Sequence, residues 1–453
     1  MKGVCALCVL GPCLLASASL PAQEPGSSTE LPSSPFSIKN TWIVGGIGNW
    51  DYLTVDPRAE RLYIAHGHAV QVVDVKSGSL VGEISGLAEA HSIVLDDTGE
   101  FGYVSDGRGG KVVVFDRRSL QTVATIEGVP NPRALVLEPQ TRLLFAVRAN
   151  PVAVGRHATT PAASGPAAAA APAPKPGSYI TIIDTQAQKV VGQILLPETL
   201  GFAQADDRGN VFVNAPDINR ILQFNAHTVV ELLPKQPEGG PSASEAALSP
   251  PATPVHKPAG GAASGPALSR ASNSVPGPST GSAASTAAKE PTPPFTIDWT
   301  ERERQVRSFS LAQGCTAPKS LAIDNAHQRL FAACGNMQLV VLNADTGDRV
   351  ASLPIGPGVD AIGYDPGRSL IYAANGGADG SLTIIHQDVT DTYRVIQVLP
   401  TRQRARTLAV NPDTGLVYLV TDLLGVDLTQ STGTGPVKTD PVNGSFQVLV
   451  VGN

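Results

Sequence analysis

The sequence predicts an all-β chain: a seven-bladed β-propeller of four-stranded blades, closed by pairing the N-terminal strand with the C-terminal blade. Three observations carry this. A hairpin made of an apolar strand, an acidic or amide turn and a second apolar strand recurs seven times. Where no insertion interrupts it, the recurrence has the roughly 40–45-residue period of propeller blades. A second hairpin follows the first in the clearest units, which makes four strands, one blade.

The first unit shows the pattern. Tyr52–Val55 reads as a strand, Asp56-Pro57 as the turn, and Leu62–Ala65 as the returning strand ending at His66-Gly67. Pro presets φ and the Asp side chain caps the bend. Equivalent turn residues are Asp96, Glu138, Asp206, Asp324, Asp365 and Asn411. The second hairpin runs from Val70–Asp74 through Ser77-Gly78 to Leu80–Ile84, and reappears at 112–126, 179–194 and 339–353 with alternating apolar residues and Gly or Asp turns.

Leu62-Tyr63-Ile64-Ala65, then Val72-Val73-Asp74, Ser77-Gly78 and Val81-Gly82-Glu83-Ile84, resemble the YVTN-type repeat of YncE-like secreted bacterial proteins. The resemblance covers Phe36 to Gly452 apart from two insertions. It implies the propeller fold and no particular function, because propellers host binding and many unrelated chemistries.

Residues 1–22 read as a secretory signal: Lys2, an apolar run from Val4 to Leu15, and small residues at Ala16-Ser17-Ala18 or Ala22. Residues 23–34 form a Pro-, Ser- and Glu-rich flexible leader, and 35–453 form the propeller. The expected location is periplasmic or secreted. Of the five cysteines, Cys5, Cys8 and Cys13 would leave with the signal. Cys315 precedes the first strand of its hairpin and Cys334 ends the second, so a turn near Ala326-His327 would bring them together; a disulfide is expected, and the alternative is two buried free thiols.

Thr41–Val44 supplies the strand that the last unit, ending at Ser445–Val451, lacks. Such closure removes open sheet edges. The insertions, 151–177 and 235–294, are Pro-, Ala-, Ser- and Gly-rich and carry too few large apolar residues to offset the entropy of ordering, so both are expected to be mobile. Around the second, Ile221–Phe224 and Phe295–Trp299 both look like strands, and the pattern does not decide which is the third strand of its blade.

The repeat also locates candidate chemistry. In a propeller the first strand of each blade lines the central channel, so the residue before it sits at one mouth. Five positions before each turn residue stand Asp51, His91, Arg133, Gly201, Lys319, Asp360 and Arg406, six of them ionisable. The second-strand tips, His66, Asp106, Arg148, Cys334, Asn375 and Thr421, are expected near the same face. The candidate ligand-binding set is therefore Asp51, His66, His91, Asp106, Arg133, Arg148, Lys319, Asp360, Asn375 and Arg406. Its arginines suit a polar or anionic ligand, since guanidinium grips carboxylate and phosphate in a forked geometry. The competing reading is that opposite charges on adjacent blades pair and close the channel.

No metal is expected at His66, His68 and His91, because acidic or His partners at fixed spacing are missing. No cofactor is expected either. A nucleophile elbow, a Walker loop and a dinucleotide fingerprint are all lacking, so no catalytic residue is assigned. The net charge of −6 argues against a nucleic-acid groove. No later segment is long enough to span a bilayer as a helix. The expectation is a monomeric, non-enzymatic binding or scaffold module. It would contact a small polar or anionic ligand, or a protein or cell-envelope partner, at the charged mouth. The alternative is a lactonase-like or quinoprotein-like enzyme using the same funnel.

Overall fold

The computed structural model describes residues 35–148, 152–153, 176–234, 293–299, 305–311, 314–389, 391–426 and 439–453. The expected signal, the leader and the middles of both insertions lie outside the described residues, together with His157 and His256.

Seven sheets built of antiparallel hairpins stand around one axis. Their innermost strands are Trp50–Asp56, Ala90–Leu95, Pro132–Glu138, Ala203–Ala205, Pro318–Asp324, Val359–Asp365 and Thr407–Val410, of blades 1 to 7 in that order. Each touches the innermost strand of the next blade, and Trp50–Asp56 touches Thr407–Val410, so the circle is complete. In blades 1 to 6 the strands follow chain order outward, as successive hairpins require, and in blade 7 the outermost strand comes from the N-terminus.

The core is divided in seven. One buried apolar cluster lies between each adjacent pair of blades, because both faces of every sheet are covered. Each fully buried large apolar side chain contributes about 1.5–3 kcal/mol. Stability is therefore spread around the ring.

The turn residues that mark the repeat are structural. Asp56 accepts from the amide of Ala59, Asp365 from those of Gly367 and Arg368, and Asn411 from those of Asp413 and Thr414. Buried Arg117 of blade 2 joins Asp56 to Asp96 and so ties blade 1 to its neighbour. The Ser-Gly and Thr-Gly turns also have a reason. At Gly78 (φ +73°) a Cβ would lie 2.3 Å from the Trp42 ring, and at Gly347 (φ +78°) 2.3 Å from Phe309. In both cases an aromatic from the outer strand of the preceding blade packs on the turn.

Closure follows the expected route. Ser37–Ile43 pairs antiparallel with Gln447–Gly452, placing Trp42 opposite Val448, and forms the outer strand of blade 7. The Trp42 ring packs 5.7 Å from Tyr418, and the Phe36 backbone exchanges two 2.8 Å hydrogen bonds with the Gln397 side chain of blade 6. The Cys315–Cys334 disulfide is present, with Cα atoms 5.3 Å apart.

The insertions are less simple than their composition implies. Val152–Ala153 pairs with Pro176 and Gly177, so the ends of the first insertion prolong a blade-3 hairpin instead of leaving it as loop. Around the second insertion, Arg220–Asn225 is the third strand of blade 4, followed by the helix Ala226–Leu232, where His227 sits in the first turn. Thr296–Asp298 leaves its own blade altogether. It adds to the edge of blade 3 in parallel, with Gln193 opposite Thr296, while Arg307–Ser310 forms the outer strand of blade 4. Trp299 and Val229 anchor this detour in the cluster between blades 3 and 4. Among the described residues no helix is long and apolar enough to cross a membrane.

Candidate functional site

The innermost strands carry side chains to the channel at matching heights. Residues at the same distance from the turn meet across blades: His91 Nδ1 lies 2.8 Å from Asp51 Oδ2, and Arg406 Nε lies 3.0 Å from Asp360 Oδ2. Arg406 also donates to the Trp50 carbonyl and sits over its ring at 5.3 Å, beside Arg404 at 4.6 Å. Arg404 is itself paired with Asp422 at 3.0 Å.

Electrostatics tie the rim together. Burial raises the Asp360 carboxyl above the usual carboxylate range; Arg406 and Lys319 draw it down, and Asp51 pushes it further up. The side chain keeps 42% of its accessible surface. At that exposure solvent screens the group and tempers the upward shift. Tyr52, one residue further in, is raised well above the ordinary phenol range, first by burial and then by Asp51 and Asp360, against Arg133 and Arg406. Asp51, His91, Arg133, Lys319, Asp360 and Arg406 thus share one mouth.

The second-strand tips sit differently. His66 is 5% exposed, bonds Gln71 Oε1 at 2.8 Å and stacks on Phe446 at 3.9 Å. Asp106 is fully buried and accepts from the amides of Ala88, Glu89 and Gly109, which knots the blade 1 to blade 2 connection. Asn375 is 1% exposed and donates to Ser381 and Thr383. Thr421 donates to the Gln403 carbonyl, and Cys334 is in its disulfide. These corrections to the expected ring share a cause: the second strand lies one layer behind the first, and the inter-blade connection crosses over its end. Arg148 ends its strand opposite Pro132 and is half-buried.

Of the remaining histidines, His68 bonds the Ala88 carbonyl at 2.8 Å and His386 bonds Asp388 at 2.6 Å. His227 reaches Gln140 at 2.9 Å, and His327 reaches Asp324 at 2.7 Å. Among the described residues no three His, Cys, Asp or Glu side chains gather as metal ligands.

Sequence reasoning missed the floor. Tyr52 of blade 1 and Phe202 of blade 4 reach across the channel, their rings 5.2 Å apart. A signal was available: four positions before the turn residue, the other blades carry only Ser92, Ala134, Ser320, Ala361 and Thr407. Below this pair the channel opens into a space of about 630 Å³ toward the other mouth. There, one position before the turn residues, stand Val55, Leu95, Leu137, Ala205, Ile323, Tyr364 and Val410, all half-buried.

No protein-family model matches the chain, and no curated protein matches its sequence. Solved structures do. A chain of the mitotic checkpoint complex is similar with a TM-score of 0.55 at 14% identity, over 89% of this chain and 95% of that one. U3-55K is similar with a TM-score of 0.55 at 8% identity, over 90% and 97%. The WD40 repeats of RRP9 are similar with a TM-score of 0.55 at 8% identity, over 92% and 98%. Identities this low show the fold alone, a WD40-like seven-bladed propeller.

Proposed function

We propose that this chain is an exported propeller of the YVTN-repeat, YncE-like kind, acting in the periplasm or outside the cell as a non-enzymatic binding module that takes anionic groups at its charged mouth. WD40-like propellers are typically binding scaffolds, which supports the general reading. The N-terminal apolar run and the disulfide support export.

One observation carries the choice of ligand. The mouth's carboxylates are engaged, Asp51 with His91 and Asp360 with Arg406. Arg133 and Lys319 have no carboxylate within 4.0 Å among the described residues. A mouth with an aromatic pair beneath it and two cations that lack a carboxylate partner suits a carboxylate-bearing group. His91 is 4% exposed and lies between Asp51 and Glu89, with Nε2 3.6 Å from Glu89. It is not aimed into the mouth as a general base would be.

The test is calorimetry with citrate and hexaglutamate as probes, at low and high salt. Wild-type protein should bind at least one probe, more weakly at high salt. Arg133→Ala with Lys319→Ala should weaken binding by about tenfold or more while leaving the circular dichroism spectrum unchanged. Unaltered affinity in the double variant, or no binding to either probe, would remove the mouth as an anion site.

A further inference from the structure

We infer that the lower half of the channel is a second binding site, separate from the charged mouth, for an uncharged, mostly apolar small molecule that also carries a hydrogen-bonding group. The space of about 630 Å³ is of ordinary ligand-pocket size. Its roof is the Tyr52–Phe202 pair, and its walls are the apolar ring one position before the turns.

The fold does not demand this lining. Four positions earlier on the same strands, the same channel is ringed by ionisable residues. A water-filled space would tolerate polar side chains equally well below the roof, yet the ring there is aliphatic but for Tyr364. A ligand would cover the aliphatic side chains that stay wet there, while Thr54, Ser92, Gln204 and Ser320 keep part of the wall polar.

The polar groups set the ligand's chemistry. Thr54 Oγ1 donates to the Ile93 carbonyl at 2.6 Å, and Tyr364 Oη lies 2.8 Å from Gln387 Oε1. Both hydroxyls therefore have partners, as does that of Ser320, which accepts from the Ile362 amide at 3.2 Å, whereas the Ser92 hydroxyl on the same wall has none among the described residues. The Gln204 side-chain amide is half-buried on the wall and has no protein partner among the described residues. It offers a donor and an acceptor to one neutral group. Among the described lining residues Asp97 is the only charged one, with its side chain 65% exposed at the rim. No cation lines the space, so a buried anion would have no counter-charge there.

A matched pair of fluorescent probes tests this on the intact protein. N-phenyl-1-naphthylamine is neutral with one N–H; 8-anilinonaphthalene-1-sulfonate has the same ring body plus a sulfonate. The neutral probe should bind one per chain with a fluorescence rise, and the sulfonate about tenfold or more weaker. Ile323→Lys, which puts a charge on the wall, and Ala205→Trp, which fills the opening, should each abolish neutral-probe binding with an unchanged circular dichroism spectrum. Equal binding of both probes, no binding of the neutral one, or retention in a folded Ala205→Trp variant would overturn the site. None of these measurements involves the charged mouth, so each site stands or fails alone.

Discussion

The two mouths of the channel are built from the same seven strands and differ in almost every chemical respect. At one end Asp51, Arg133, Lys319, Asp360 and Arg406 gather ionisable groups; at the other a ring from Val55 to Val410 is aliphatic but for Tyr364. The two rings are four residues apart along each strand, or about 13 Å. Between them the Tyr52 and Phe202 rings meet. The contrast teaches that the propeller frame dictates where side chains converge, and leaves their chemistry to single positions in each repeat.

Opening the ring should have the largest effect. Without residues 1–43, Gln447–Gly452 becomes an unpaired edge and Tyr418 loses Trp42. The cooperative melt in calorimetry should disappear, and both kinds of probe binding with it. A truncated chain that still melts as one unit would show that neither mouth depends on closure.

Removing the partition should come next. Tyr52→Ala with Phe202→Ala should cost about 1–3 kcal/mol in chemical denaturation, the usual range for such truncations. It should also let water into the mouth from below. Because burial is the first cause of the raised Asp360 carboxyl, that group should then titrate lower, which NMR of the labelled carboxyl would show. An unmoved titration would mean the two halves were never insulated from each other.

The smallest effect concerns Asp360 itself. A carboxyl raised in the folded state binds its proton more tightly there than in the unfolded chain. It therefore costs stability above its folded value, and that cost vanishes below its unfolded value. Wild-type protein should lose stability over that interval as pH rises. In Asp360→Asn, melting temperatures across the acidic range should lack this segment of the slope. An identical profile would show that the mouth is as wet as open surface.

How much of this was legible differs by region. The blade count, the closing strand and the Cys315–Cys334 pair rested on alternation and spacing, which are local and survive in a linear string. The rim residues on the first strands could be collected by counting back from the turns. The second-strand tips could not be judged that way. His66, Asp106 and Asn375 follow the same count, but connecting loops cover them, and nothing local records which loop crosses which strand end. Thr296–Asp298 was out of reach for a similar reason: its parallel pairing with blade 3 joins segments about a hundred residues apart, and a three-residue strand carries no mark of its partner.

By itself, then, the sequence determined the repeat, the ring and its closure, and the list of charged residues able to meet at one end. Only the tertiary structure decided which of those side chains stay open, that two aromatics from blades 1 and 4 meet in the channel, and that a mostly aliphatic ring lines its far half. The physical reason is that hydrogen-bonded pairing is written in short-range pattern. Burial, pairing of charges and desolvation depend instead on what the rest of the chain places on the far side of each residue.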